Sequence, residues 1–276
     1  MNKYPIFVIS KGRANSCLTA RELLNMGAEF YLVVEPQELK DYSKVWGDFC
    51  KIIQTPFSNL GQGSIPVRNF VFGLSVKMGF SRHWILDDNI EGFHRLHKNE
   101  KYKVASVVCF TCCEDFTDRY SNVALSGMNY HSFCKAGDAV PPYYLNTRIY
   151  SCILVNNKID KRWRGKYNED TDLSLRVLKD GWCTVLFNAF LCGKVTTQRM
   201  SGGNTSEVYG KTNDRLEFAE SLKRQHPDVV EVVRRFGRWH HKVNYKPFKS
   251  NELLPLVDLS LLKKVDNYGL RLEATA

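Results

Sequence analysis

Apolar positions in the first third of the chain fall into short unbroken runs separated by stretches of helical spacing. Residues 4–10 form the first run and end at Lys11-Gly12-Arg13, which predicts a buried strand followed by a turn. Residues 16–26 come next, with Leu18, Leu23 and Leu24 at helical spacing and Gly27 as a stop. Residues 30–34 predict a second strand closed by Glu35-Pro36, residues 39–46 a helix, and Ile52-Ile53 a third strand before Pro56. A polar, glycine-rich connection over 59–69 leads into a helix over 70–78, stopped by Gly79. Residues 83–86 then make a strand that runs straight into Asp87-Asp88-Asn89. This alternation predicts an α/β fold with a mostly parallel sheet flanked by helices.

The second half is less regular. Residues 104–112 and 151–156 are strand-like, 171–178 a short helix and 183–187 another strand. Residues 199–213 have the composition of a loop. Helices are predicted over 216–224 and 229–236, the second with Pro227 at its first turn. The tail after Pro255 pairs leucines with Lys263 and Lys264, as a packed helix would. The chain is therefore expected to divide into a main domain over 1–212 and a helical, basic C-terminal extension over 213–276 packed on it.

Charge sharpens this picture. The 276 residues carry a formal net charge of +10, which favours a polyanionic partner such as nucleic acid. Solubility alone is the plainer alternative. No apolar run approaches the roughly 20 residues that span a bilayer, and the first run is too short for a secretory segment. A cytoplasmic protein is expected. Nine cysteines, an odd number lying mostly in apolar context, read as buried thiols. The lone Cys109-Phe110-Thr111-Cys112 spacing has no second pair to complete a zinc site.

Two constellations carry chemistry. Asp87-Asp88-Asn89 follows an apolar strand directly, and ligands of open α/β sheets bind at that end of the strands. Hard oxygen donors there suit Mg²⁺ or Mn²⁺ bridging a diphosphate, whereas an Asx turn or helix cap would use the same residues for structure alone. The second is Trp163-Arg164-Gly165-Lys166-Tyr167-Asn168-Glu169-Asp170-Thr171-Asp172. Capping the following helix accounts for one or two of its acids. Three acids on one turn suggest in addition a carboxylate that deprotonates an acceptor hydroxyl.

Asp87-Asp88-Asn89 resembles the DxD element of GT-A glycosyltransferases, and Trp163 to Asp170 is similar to their acceptor-side motif. Further motifs occur with these: Lys11-Gly12-Arg13-Ala14, Val34-Glu35-Pro36, Val67-Arg68-Asn69, Glu169-Asp170-Thr171-Asp172-Leu173 and Ser201-Gly202-Gly203-Asn204. Together they resemble the phage TET-associated glycosyltransferases and related enzymes that glycosylate 5-hydroxymethylcytosine in DNA, over roughly residues 4–205. The resemblance implies a GT-A-like, Rossmann-type fold, a UDP-sugar donor, Mn²⁺ or Mg²⁺, and double-stranded DNA as acceptor. It implies that Asp87 faces the nucleoside, with Asp88 and Asn89 near the metal. Asp170 is the base candidate, beside Glu169 and Asp172. GT-A enzymes often add a late His to the metal, for which His240 or His241 is available. Arg13 and Arg68 suit the donor phosphates, though either also fits an ordinary surface position. Gly202 and Gly203 would let a loop close over the donor, or simply make it flexible.

Two basic clusters with aromatic residues remain for the DNA. One contains Lys161, Arg162 and Arg164 beside Trp163; the other contains Arg234, Arg235, Arg238 and Lys242 around Trp239 and Tyr245. A solvated basic face is the plainer reading of both. A monomer acting in the cytoplasm of an infected host is expected. The competing functions are a transferase acting on a glycan or other small acceptor, and a non-catalytic nucleic-acid-binding module.

Overall fold

The structure is a computed structural model that describes residues 2–135, 137, 139–195 and 215–258. The loop expected over 199–213, with Gly202 and Gly203, lies outside the described residues, as do the 212/213 boundary and most of the expected tail helix.

A ten-stranded sheet forms the centre, in the order β3-β2-β1-β4-β9-β7-β10-β5-β6 with β8 beside β10. Its strands are β1 (Ile6–Ile9), β2 (Tyr31–Val34), β3 (Lys51–Gln54), β4 (Arg82–Asp87), β5 (Ile90–His97), β6 (Glu100–Lys103), β7 (Val123–Tyr130), β8 (Tyr143–Leu145), β9 (Cys152–Asn156) and β10 (Cys183–Lys194). Strands β3, β2, β1, β4, β7, β10 and β6 point one way; β9, β5 and β8 oppose them. The mostly parallel sheet expected from the sequence is thus the one observed.

Helices α1 (Leu18–Asn25), α2 (Leu39–Trp46) and α4 (Val108–Thr117) cover one face, while α3 (Ile65–Lys77) and α5 (Glu169–Lys179) cover the other. Alternation within the strands feeds both layers. Ile6, Val8, Trp84 and Leu86 join the first core, and Phe7, Ile9 and Ile85 the second. Parallel strands buried on both faces need such unbroken apolar runs. Among the described residues, no helix is long and apolar enough to cross a membrane.

Two sequence expectations fail. Residues 104–112 contain the start of α4 rather than a strand, because Cys109, Phe110, Cys112, Cys113 and Thr117 bury one helical face. The thiols of this CxxC segment are core residues. Residues 229–236 are not helical either. They supply β11 (Val230–Arg235), paired with β12 (Arg238–Val243) in an antiparallel hairpin that follows α6 (Arg215–Gln225). Phe236 and Gly237 both have positive φ (51° and 72°), the conformation a two-residue hairpin turn requires. The C-terminal extension is therefore a helix plus a hairpin. Leu222, Val229, Val230 and Phe248 bury against Leu175 and Leu178 of α5 in a third core.

Candidate active site

In the sheet, β1 lies between β2 and β4, so the connections from it diverge to opposite sides. A crevice opens at the carboxyl ends of strands at such a point. Here it is a cavity of about 350 Å³ that brings together Arg13, Arg68, Asp87, Asp88, Asn89, Glu169 and Asp170. These predicted residues, far apart in sequence, line one space.

Asp87 ends β4, where its backbone N–H donates to Ser151 O at 2.8 Å. The Thr19 hydroxyl of α1 donates to Asp87 O at 2.6 Å and accepts from Ile90 N–H at 2.9 Å, which fixes the 87–89 turn. Asp87 Oδ1 accepts from Arg68 Nη2 at 2.8 Å, and Oδ2 from Lys194 Nζ at 2.6 Å. Burial alone would raise the Asp87 carboxyl, but Lys194 and Arg68 outweigh it and hold it well below the usual range. Asp88 is ion-paired with Arg13 and accepts from the Ser10 hydroxyl at 2.7 Å. Its burial wins over those partners, so its carboxyl is raised.

The acid turn comes from the start of α5, entered through Asn168 at a left-handed φ of 56°. Asp170 Oδ1 accepts from the Trp163 indole N–H at 2.8 Å, and Oδ2 lies 3.6 Å from Arg68. Glu169 accepts from the Ser64 hydroxyl at 3.1 Å. Burial, then the neighbouring Asp170, raises Glu169; burial raises Asp170 against the pull of Arg68. Both carboxyls thus sit above their ordinary values at the edge of the cavity.

Asp172 does not join them. It is fully buried away from the cavity, where Arg164, Arg176 and His226 all hold it. On a helix, positions i and i+2 point about 200° apart, so Asp170 and Asp172 cannot share a face. Asp172 is a structural node between α5 and the C-terminal extension.

Sequence reasoning missed Lys194, which closes β10 and bridges Asp87 and Ser151, donating at 2.6 Å to each. Asp87 was marked as a polar residue ending an apolar run, but in β10 Asn188 interrupts that run before Lys194. Ser10, Tyr130 and Ser151 were missed too. Ser151 has a φ of 55° and its hydroxyl lies 2.7 Å from that of Tyr130. A left-handed serine held in place at such a site is strain maintained by its surroundings.

The fit to a divalent cation rests on the donor set. Asn89 Oδ1 is buried without a hydrogen-bond partner beside the Asp88 carboxylate. Among the described residues no three His, Cys, Asp or Glu side chains form a closed metal site. Two hard oxygen donors instead fit a cation whose shell is completed by substrate phosphates and water. Charge agrees with this. The lining cations Lys11, Arg13, Arg68 and Lys194 are each paired with a lining carboxylate, so a diphosphate entering alone would meet little uncompensated positive charge. His240 does not line the cavity; it lies on β12 with its Nε2 buried and unpartnered.

The two basic clusters differ. Lys161 pairs with Asp160 and Asp180, Arg162 lies 3.5 Å over the Phe72 ring, and Arg164 grips Asp172. That cluster is occupied by internal contacts. In the other, Arg234, Arg235 and Arg238 flank the hairpin tip, where Phe236 is 95% exposed, and Lys242 pairs with Glu231 across the strands.

Residues 4–203 match the family described as TET-Associated Glycosyltransferase. No curated protein matches the chain. Similar solved structures include the crystal structure of S. aureus TarS 1-349, at 12% identity and a TM-score of 0.44, covering 82% of this chain and 72% of that one. The same TarS fragment in complex with UDP gives 11% identity and a TM-score of 0.45, over 82% and 72% of the two chains.

Proposed function

Because the chain belongs to the TET-associated glycosyltransferase family, we propose that it moves a sugar from a UDP-sugar to 5-hydroxymethylcytosine, bare or already glucosylated, in phage DNA within the host cytoplasm. The observation that carries this reading is the cavity at the ends of β1 and β4, which gathers cations, hard oxygen donors and raised carboxyls in one place. Arg68 Nη1 is buried there with no hydrogen-bond partner, a donor suited to a phosphate oxygen. Arg13 and Lys194 add positive charge around it. Asp88 and Asn89 would hold Mn²⁺ or Mg²⁺, which when bound neutralises the diphosphate and stabilises it as the leaving group.

Asp170 then acts as general base. It takes the proton of the acceptor hydroxyl, the hydroxymethyl of the bare base or a sugar hydroxyl of the glucosylated one, whose oxygen forms the new bond to the anomeric carbon. The bond from that carbon to the diphosphate breaks, and UDP departs with the electron pair. Displacement from the opposite face inverts the anomeric centre. Trp163 holds the Asp170 carboxylate in place, and its hydrogen bond leaves Oδ2 directed toward Arg68.

The test uses duplex DNA carrying 5-hydroxymethylcytosine, bare or glucosylated, incubated with enzyme, Mn²⁺ and a panel of UDP-sugars, then digested for nucleoside mass spectrometry. A sugar mass should appear on hydroxymethylcytosine, disappear with EDTA and return with excess Mn²⁺. Unmodified nucleosides with every donor would refute the acceptor, and undiminished transfer in EDTA would refute the metal.

The exposed hairpin is the surface we assign to the duplex backbone. Reversing Arg234 and Arg235 to Glu should weaken duplex binding about tenfold or more and lower the salt slope by about two, one for each phosphate no longer neutralised. Binding isotherms at several salt concentrations check this, and an unchanged slope would remove the hairpin from the interface.

A further inference from the structure

A second cleft, of about 530 Å³, adjoins the donor cavity and shares Tyr130 and Tyr150 with it. Those two rings stack with centroids 5.8 Å apart and planes 28° apart, and this aromatic pair borders both spaces. Phe133, Tyr144 and Tyr245 line the rest of the cleft. Phe133 lies 5.2 Å from Tyr130, and both Phe133 and Tyr144 are exposed. Exposed aromatic rings around a recess are stacking partners for a flat ligand.

One charged side chain enters this aromatic space. Arg148 lies 5.1 Å over the Tyr150 ring, and its Nε is buried with no hydrogen-bond partner. The buried Tyr245 hydroxyl faces the same guanidinium and orients it. Buried polar groups are ordinarily satisfied, so the free Arg148 Nε at the edge of an open cleft points to a ligand that supplies its partner. A guanidinium only donates, in a planar fork that matches two adjacent acceptors.

Beyond Tyr245 the cleft opens into a groove containing Lys242, Lys246 and Lys249, with Leu145, Asn146 and Tyr245 common to both. Lys242 is paired there with Glu231, which also lines the groove, while Lys246 and Lys249 have no ion pair among the described residues. Donor cavity, aromatic cleft and lysine groove therefore adjoin one another in turn through shared lining residues.

We propose that the aromatic cleft is the acceptor subsite, taking one cytosine base extruded from the duplex while the lysine groove holds the flanking phosphates. This rests on the reading of hydroxymethylcytosine in DNA as the acceptor. Cytosine offers N3 and O2 side by side as acceptors, which a guanidinium fork satisfies together. Uracil and thymine place an N–H donor at N3 and leave one arm of the fork facing it. Arg148 is thus a specificity-determining residue that selects the cytosine ring. A base held at O2 and N3 leaves its 5-hydroxymethyl, across the ring from C2, clear of the arginine. A base stacked in a duplex cannot enter a recess walled by Tyr130 and Tyr150, so extrusion is required.

The experiment compares duplexes carrying 5-hydroxymethylcytosine or 5-hydroxymethyluracil, each with 2-aminopurine beside the target. Wild-type enzyme should raise the 2-aminopurine fluorescence and prefer the cytosine substrate in kcat/KM. Arg148→Gln should reduce that preference about tenfold, the discrimination that one bidentate pair supplies. Titration with UDP confirms that this variant is folded. Tyr144→Ala, at an exposed position, should raise KM for DNA and lower the fluorescence change. No transfer to either DNA by the wild type overturns the acceptor reading and the subsite together. Transfer by the wild type with no fluorescence rise, or with the preference intact in Arg148→Gln, overturns the subsite alone.

Discussion

Asp170→Asn lowers sugar transfer by about 10² to 10⁴, the usual contribution of a general base. Asparagine keeps an oxygen for the Trp163 indole and nearly the same volume, so the fold and UDP binding provide the control. The pH profile gives an independent reading. Burial raises the Asp170 carboxyl, with Arg68 opposing and Asp87 adding to the rise. A base works only when ionised, so transfer is full above its raised pKa and falls as pH drops through it. The acidic limb of kcat/KM therefore lies above the ordinary carboxylate value of about 4. A limb at or below that value, or a variant with near-normal kcat, would remove Asp170 from the base role.

Arg68→Met is the second large effect, and it acts on stability. Arg68 is 2% exposed and supplies positive charge to both Asp87 and Asp170, with its guanidinium 5.6 Å over the Trp163 ring. Methionine fills much of the space but leaves buried carboxylates short of their counter-charge. Breaking a buried pair from one side costs about 3 to 5 kcal/mol, more than the pair itself contributes. Urea unfolding should show that loss. Adding Asp170→Asn to the same chain should recover part of it, because Asp170 has no other ion pair than that with Arg68 among the described residues, whereas Asp87 keeps Lys194. A double variant no more stable than Arg68→Met would show that the cost comes from packing rather than charge.

What the sequence disclosed follows from local periodicity. Strands β1, β2 and β4 are buried on both faces, so each is a plain apolar run, and Gly27 and Gly79 follow the helices between them at positive φ. The chemistry at the end of β4 was legible for the same reason: an apolar run stops abruptly at two carboxylates and an amide. Lys194 stayed hidden because β10 contains the buried Asn188, hydrogen-bonded to Asn129, and shifts register between Phe187 and Leu191. In the sequence, that polar residue ends the apolar run at Phe187, well short of the strand's true end. The hairpin was masked by Arg234-Arg235, which interrupts the alternation of the valines before it, while Pro227 imitates a helix start. Asp172 misleads because neighbours in sequence on a helix are not neighbours in space. The aromatic cleft leaves no local signal, since its walls come from β7, β8 and the segments before β9 and after β12.

The His226 imidazole, 2% exposed and 2.9 Å from Asp172, joins the C-terminal segment to the helix whose first turn carries Asp170. This makes the hairpin unsuitable as an interchangeable cassette. A chimera that replaces this segment must also supply a donor to Asp172, or it leaves a buried carboxylate with one partner fewer beneath the turn that carries Asp170. Changes to this surface are therefore better made at the rim of the cleft and the hairpin tip than by exchanging the segment whole.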